Sequence, residues 1–365
     1  MKRTLFLTAG FSLLSFIFLL KASAATFSKM YVFGDSLSDT GNEFNITTFA
    51  QQFVDPTTVI DPLSPPNFQG RDSNGPLWVD YLAEDLGLTL TPSSQLAVNS
   101  PLTITNNGFG VNFSYNGATT TQSVNFAIGG AETGFENATD PRLVGVLRQI
   151  QGFTDDLKVN NSSADPNALY VIFAGVNDYQ SGGIVEVSEP VNNIATAVKS
   201  LFDKGARNFL VPSMPDLGKT PLAMSFGAEV SNNLSNLTSE HNSVLDQTLS
   251  DLSSSLTGIN LISPDANSLF QNILDNPRDF GLTNVTESCL DGEYPNFSVC
   301  DRPNEYLFWD SIHPTTIPHE RLGELARASL THKSVPESSS LVSISVLGLT
   351  WLLHKRQYFR KSGKD

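Results

Sequence analysis

Cysteine is nearly absent from this chain, which has only Cys289 and Cys300 among its 365 residues. So few cannot build a disulfide-dense scaffold, and with no histidine cluster beside them they make a poor zinc site. Basic residues are also scarce, with 22 Lys and Arg against 37 Asp and Glu, for a formal net charge of −15. Both ends of the chain are basic, so the acidic excess is concentrated between them. A surface of that sign repels phosphate backbones, and no nucleic-acid partner is expected. No internal repeat is apparent. Hydrophobic residues, at 40%, are numerous enough for a packed core and exclude wholesale disorder.

The two ends are read apart from the fold. Residues 1–24 have the layout of a secretory signal: Lys2 and Arg3, then the apolar run Leu5–Leu20, then the small residues Ala22-Ser23-Ala24, with cleavage expected before Ala25. In an exported protein, two cysteines in one short loop are expected to pair as a disulfide, with a reduced, inert pair as the alternative. Residues 334–365 form a tail in which Val335-Pro336-Glu337 precedes the apolar Leu341–Leu353 and the basic His354-Lys355-Arg356. That apolar stretch is shorter than the roughly 20 residues that span a bilayer comfortably.

Residues 25–333 read as one α/β domain. Lys29–Phe33, Ser123–Ile128, Ala168–Ala174, Phe209–Val211 and finally Ile259–Ile262 have the apolar character of buried strands. Between them lie helical patterns: Leu143, Val146, Leu147, Ile150 and Phe153; Val191 to Phe202, with Gly205 where a C-terminal cap belongs; and Leu234–Leu252. His319–Leu330 is expected to be a closing helix. The alternation predicts a mostly parallel sheet covered on both faces. Residues 43–121 are polar, rich in Pro, Asn and Gly, and predicted to be largely an irregular insertion on the rim, apart from a helical spacing at Trp78, Tyr81, Leu82 and Leu86.

In such a sheet ligands bind where strands end and helices begin. Gly34-Asp35-Ser36-Leu37-Ser38-Asp39 follows the first strand, Gly129-Gly130 the second and Gly175-Val176-Asn177-Asp178 the third, while Asp310-Ser311-Ile312-His313-Pro314 precedes the last helix. An acyl-transfer site needs a nucleophile, a base, a group that orients the base, and donors for the oxyanion. Ser36 is the candidate nucleophile and His313 the base. Asp310, three residues earlier on the same loop, can accept from one ring nitrogen while the other faces Ser36. Gly130 allows close backbone approach to a substrate oxygen, and the Asn177 amide can donate to that oxygen. Each residue taken singly also fits a plainer role as a helix cap, a turn residue or a surface histidine. The four motifs in this order, each at a strand end or on the late loop, argue for the chemistry.

These motifs closely resemble those of the SGNH, or GDSL-type, hydrolases. The match extends to Thr40-Gly41-Asn42, Asn125-Phe126-Ala127-Ile128-Gly129-Gly130-Ala131, Gly75-Pro76-Leu77-Trp78, Val211-Pro212-Ser213-Met214-Pro215-Asp216-Leu217-Gly218 and Phe308-Trp309-Asp310-Ser311-Ile312-His313-Pro314-Thr315. The resemblance implies a flavodoxin-like three-layer α/β/α sandwich with Ser36, Asp310 and His313 as the triad. It places the oxyanion contacts at the backbone of Ser36 and Gly130 and the side chain of Asn177. It implies a serine hydrolase of lipid or simple acyl esters, in the branch that includes phospholipase- and hemolysin-like enzymes, with no cofactor or metal, and residues 1–24 make it a secreted one. The tail resembles a PEP-CTERM sorting signal, which implies contact with the membrane and a sorting enzyme at the cell surface, although Ser338 stands where that pattern has its second proline. Ser36 has no Gly-x-Ser-x-Gly elbow, which disfavours the α/β-hydrolase fold. Two other readings stand beside this one: an esterase removing acetyl groups from polysaccharide, and a non-catalytic surface protein binding glycan or lipid.

Overall fold

The computed structural model describes residues 26–332, apart from 52–61, 63, 98–101, 106–107, 112–113, 181–185 and 294–295. The signal-like segment and the sorting-like tail lie outside the described residues. Thr26–His332 forms a compact unit.

In chain order the elements are β1 (Met30–Gly34), α1 (Asn42–Ala50), α2 (Trp78–Asp85), β2 (Leu90–Pro92), β3 (Leu102–Thr105), β4 (Gly108–Val111), β5 (Ser123–Asn125) and α3 (Val146–Val159). There follow β6 (Leu169–Phe173), α4 (Val176–Gln180), α5 (Ser188–Asp203), β7 (Asn208–Leu210), α6 (Pro221–Ser225), α7 (Ala228–Ser255) and β8 (Asn260–Ile262). The chain then runs through α8 (Ala266–Asp275), β9 (Asn284–Ser288), β10 (Leu290–Glu293), β11 (Asn296–Val299), β12 (Tyr306–Phe308) and α9 (Thr316–His332).

Six strands make one sheet in the order β2-β5-β1-β6-β7-β8, and every pairing in it is parallel. Without the edge strand β2, this is the 2-1-3-4-5 order of a flavodoxin-like sheet. Side chains alternate between the two faces, as the period of a strand requires. Tyr31, Phe33, Tyr170, Ile172 and Phe209 pack against α3, α5 and α7. Met30, Val32, Leu169, Val171 and Phe173 pack against Trp78 and Leu82 of α2, Ala266 of α8, and Leu322, Ala326 and Leu330 of α9. Burying each large side chain in these two layers stabilises the fold by about 1.5–3 kcal/mol.

Three features depart from the sequence reading. Residues 43–121 are more regular than expected, since they supply part of α1 and the sheet's edge strand β2. The α1 start is held by the Asp39 carboxylate, which accepts from the N–H groups of Gly41, Asn42 and Glu43, a local polar cap that apolar periodicity does not reveal. Strand β2 is short and half-buried, so it lacks the apolar run that marks the central strands. Strand β8 ends the main sheet but not the strands of the chain. β9 pairs in parallel with β12, and β10 forms an antiparallel hairpin with β11. The residues of β11 are all exposed and carry no buried-strand signal. Cys289 and Cys300 form a disulfide across the root of this hairpin.

Candidate active site

The order of the sheet reverses between β1 and β6, and ligands of such sheets bind in the crevice beyond the strand ends at that switch point. Ser36 lies two residues past β1, and Asn177 is the second residue of α4, just past β6. A cavity of about 500 Å³ opens there, and Ser36, Gly130, Asn177, Asp310 and His313 all line it.

The turn after β1 is self-bonded. Asp35 accepts from the Leu37 N–H through one carboxylate oxygen and from the Ser38 N–H through its carbonyl. Its other carboxylate oxygen is buried without a partner, and burial pushes its pKa up to about 7. Gly34 has no room for a side chain, because a Cβ would stand 2.4 Å from the Phe173 carbonyl oxygen of the neighbouring strand.

The loop between β12 and α9 brings the base to the serine. His313 Nε2 lies 2.8 Å from Ser36 Oγ, and His313 Nδ1 lies 2.7 Å from an Asp310 carboxylate oxygen. An ionised carboxylate only accepts, so Nδ1 carries the proton and Nε2 of the neutral ring accepts from the Ser36 hydroxyl. The second Asp310 oxygen accepts from the backbone N–H groups of Ile312 and His313, which fixes the carboxylate against the loop. Despite desolvation, the positive imidazolium and these hydrogen bonds hold Asp310 below the usual carboxylate range. Burial acts to lower the His313 pKa, but the negative charges of Asp310, Asp72 and Asp35 outweigh it and raise the net value above the ordinary histidine range.

A segment of the predicted rim insertion, residues 73–81, braces this loop. The Ser73 hydroxyl donates to the Pro314 carbonyl at 3.0 Å, and the Thr316 N–H donates to Asn74 at 2.8 Å. The Thr316 hydroxyl reaches the Pro76 carbonyl at 2.9 Å and lies 2.8 Å from Tyr81 Oη. A Cβ on Gly75 would be 2.7 Å from Thr316, so glycine is required for this approach.

Of the two adjacent glycines, the Gly129 N–H is committed to Asp39 at 3.1 Å, whereas Gly130 lines the cavity. Gly130 has a φ of 72°, and a Cβ there would stand 2.0 Å from Thr139 Oγ1. Asn177 donates to the Ala131 carbonyl at 3.1 Å through one amide hydrogen, which orients the amide that carries the second. The structure thus brings all five sequence-selected residues to one cavity, with the Cys289–Cys300 bridge outside the reacting group.

Sequence reasoning passed over Asp72, Thr133, Asp178 and His319. Asp178 lay inside a quoted motif, but its partner Thr133 is 45 residues away and no spacing connects them. Asp72 sits in the polar segment read as rim.

Residues 30–326 match the family model described as GDSL-like lipase/acylhydrolase. A GDSL esterase/lipase of Arabidopsis thaliana is 26% identical over 337 residues, covering 81% of this chain and 87% of the relative. The thermolabile hemolysin of Vibrio parahaemolyticus is 27% identical over 311 residues, covering 81% of this chain and 62% of the hemolysin. The crystal structure of a carbohydrate acetylesterase from Sinorhizobium meliloti aligns with a TM-score of 0.42 at 12% identity, over 83% of this chain and 98% of that one. With a family match spanning nearly the whole described unit, the chain belongs to the GDSL-like lipase/acylhydrolase family and is an ester-bond hydrolase.

Proposed function

We propose that the protein hydrolyses carboxylic esters of lipids or simple acyl compounds through an acyl-enzyme on Ser36. The observation that carries this reading is the unbroken relay Ser36–His313–Asp310, with contacts of 2.8 and 2.7 Å, on the lining of the cavity. Ser36 Oγ attacks the ester carbonyl carbon while His313 Nε2 takes its proton, and the carbonyl electron pair moves onto oxygen. The N–H groups of Ser36 and Gly130 and the Asn177 amide donate to that oxyanion. The tetrahedral intermediate collapses, the bond to the alcohol oxygen breaks, and His313 returns the proton to the departing alcohol. Water then repeats the sequence on the Ser36 ester, releasing the acid and restoring the serine. Asp310 keeps the imidazole in the productive tautomer and stabilises its cationic form.

The same reading takes the chain to be exported, on the basis of the signal-like residues 1–24 and of a disulfide suited to an oxidising compartment. It takes residues 334–365 as a sorting or anchoring tail that contacts the membrane. Fractionation and intact mass of the native protein test this: a freely soluble product running from Met1 to Asp365 overturns both.

The catalytic reading is tested by titrating acid release from a panel of carboxylic esters with the full-length chain and with Ser36→Ala. Turnover by the first and none by the second is expected. Equal turnover by both moves the nucleophile elsewhere.

A further inference from the structure

We propose that the acyl group of the substrate is held in a narrow apolar recess branching from the catalytic cavity, and that this recess confines the enzyme to short acyl chains. The inference rests on the ester-hydrolase reading above and specifies its substrate.

The recess measures about 40 Å³ and shares Leu37, Pro215, Phe270 and Pro314 with the main cavity. Leu37 directly follows Ser36 and Pro314 directly follows His313, so residues that border both spaces lie beside the reacting atoms. Ala266 and Leu269 of α8 form a further part of the wall, as does His319 of α9.

The two spaces differ in chemistry. The main cavity carries the carboxylates of Glu43, Asp72 and Asp216. The recess is walled by carbon, apart from His319. That imidazole is buried, its Nε2 has no hydrogen-bond partner, and burial together with the charge of His313 pushes its pKa down to about 3. The recess is therefore uncharged and, His319 apart, has only carbon on its wall, which favours a hydrocarbon arm. The alcohol has to depart before water enters, and the larger cavity, which has carboxylates on its wall, gives it the way out. The acyl group stays bonded to Ser36 through both half-reactions, and the small apolar space is where a hydrocarbon gains from staying.

Size sets the limit. One water-sized group needs about 10–15 Å³ of such space, so the recess takes roughly three groups of methylene size beyond the carbonyl carbon. That corresponds to butyryl. Each methylene that fits an apolar pocket changes kcat/KM by about 10–200-fold.

The test uses the full-length chain and p-nitrophenyl esters from acetate to octanoate, so that only the acyl group varies. Wild type is expected to peak at butyrate and to fall about tenfold or more by hexanoate. Ala266→Leu, which fills the recess, should lower the butyrate-to-acetate ratio about tenfold, and Leu269→Ala, which enlarges it, should move the peak towards hexanoate. Melting curves establish that each variant is folded; if Ala266→Leu is not, Leu269→Ala decides alone. A profile flat or rising to octanoate in wild type, or one unmoved by the folded variants, overturns the proposal. So does a shift seen only among acetate esters of lengthening alcohols, which would give the recess to the leaving group. A chain that turns over no ester and is not labelled at Ser36 by a fluorophosphonate refutes the underlying hydrolase reading and the recess with it. Labelling and turnover with an unshifted profile refute the recess alone.

Discussion

The Thr133 hydroxyl donates to one Asp178 carboxylate oxygen at 2.6 Å, and the Thr133 N–H donates to the other at 3.0 Å. Together with the Asn177–Ala131 bond, these contacts tie the loop that carries Gly130 to the helix that carries Asn177. Two of the three donors assigned to the oxyanion, at Gly130 and Asn177, are therefore tied together by Thr133 and Asp178, which do not line the cavity. Burial pushes the Asp178 pKa up to about 6, with the Thr133 bonds opposing the rise.

Asp178→Asn replaces one acceptor with a donor facing donors, and should loosen this clamp. Losing a whole oxyanion donor costs about 10²–10³-fold in kcat, so misaligning donors is expected to cost about tenfold. KM should stay within about twofold, because the lost interaction belongs to the transition state. Steady-state kinetics check the split, and a rise in KM with kcat unchanged would assign Asp178 to ground-state binding.

Removing the relay members should give unequal losses. Ser36→Ala and His313→Ala are each expected to lower kcat by a factor on the order of 10⁴–10⁶, while Asp310→Asn, which keeps the base, should cost one or two orders of magnitude less. The double variant Ser36→Ala/His313→Ala should be scarcely worse than either single one, since the two act as a unit. Additive losses in the double variant would contradict a shared role.

Much of this architecture was legible in the sequence, for physical reasons that differ by region. The central strands β1 and β6 are buried on both faces, so Met30–Gly34 and Leu169–Phe173 read as apolar runs with little ambiguity. Helices α3 and α5 show one apolar face each, and α9 closes the fold where expected. Strand β2 was missed because it is an edge strand of three half-buried residues, and α1 because its start depends on Asp39 rather than on apolar spacing. The relay was legible because its three members sit on two short motifs, and Asp310 and His313 share a loop. The clamp and the recess were not: Thr133 and Asp178, or Leu37 and Ala266, meet only through the fold. The disulfide was expected because the two cysteines share one short loop of a chain read as exported.

The charges around His313 set the acid side of the pH profile. The base works only when neutral, so kcat/KM should rise with pH through its pKa, which lies above the ordinary histidine range. Asp72 adds to that elevation from the cavity wall. Asp72→Asn removes a charge that favours the imidazolium, and should move the acid limb to lower pH. A pH–rate profile with the limb unmoved, or moved upward, would remove Asp72 from the electrostatics of the base.

His241 offers a test of stability away from the chemistry. Its Nδ1 lies 2.7 Å from Tyr179 Oη, beneath the segment that carries Asn177, and burial pushes its pKa down to about 4. A histidine neutral when folded but titrating near 6.5 when unfolded contributes fully above 6.5, and that contribution is lost as pH falls towards 4. His241→Gln should therefore melt well below wild type at pH 7.5, with the gap narrowing by pH 5. Melting temperatures across that range decide the matter, and a gap that widens on acidification would show that the ring is not held neutral.

The central claim is that Ser36 is an activated nucleophile, and covalent labelling tests it most directly. The native full-length chain is treated with a fluorophosphonate, and the adduct is weighed on the intact protein and mapped to a peptide. A single adduct on Ser36, absent from Ser36→Ala and strongly slowed in His313→Ala, is the expected result. An adduct on Ser38 or Ser311 instead, or a folded protein that takes up no label, would contradict the account.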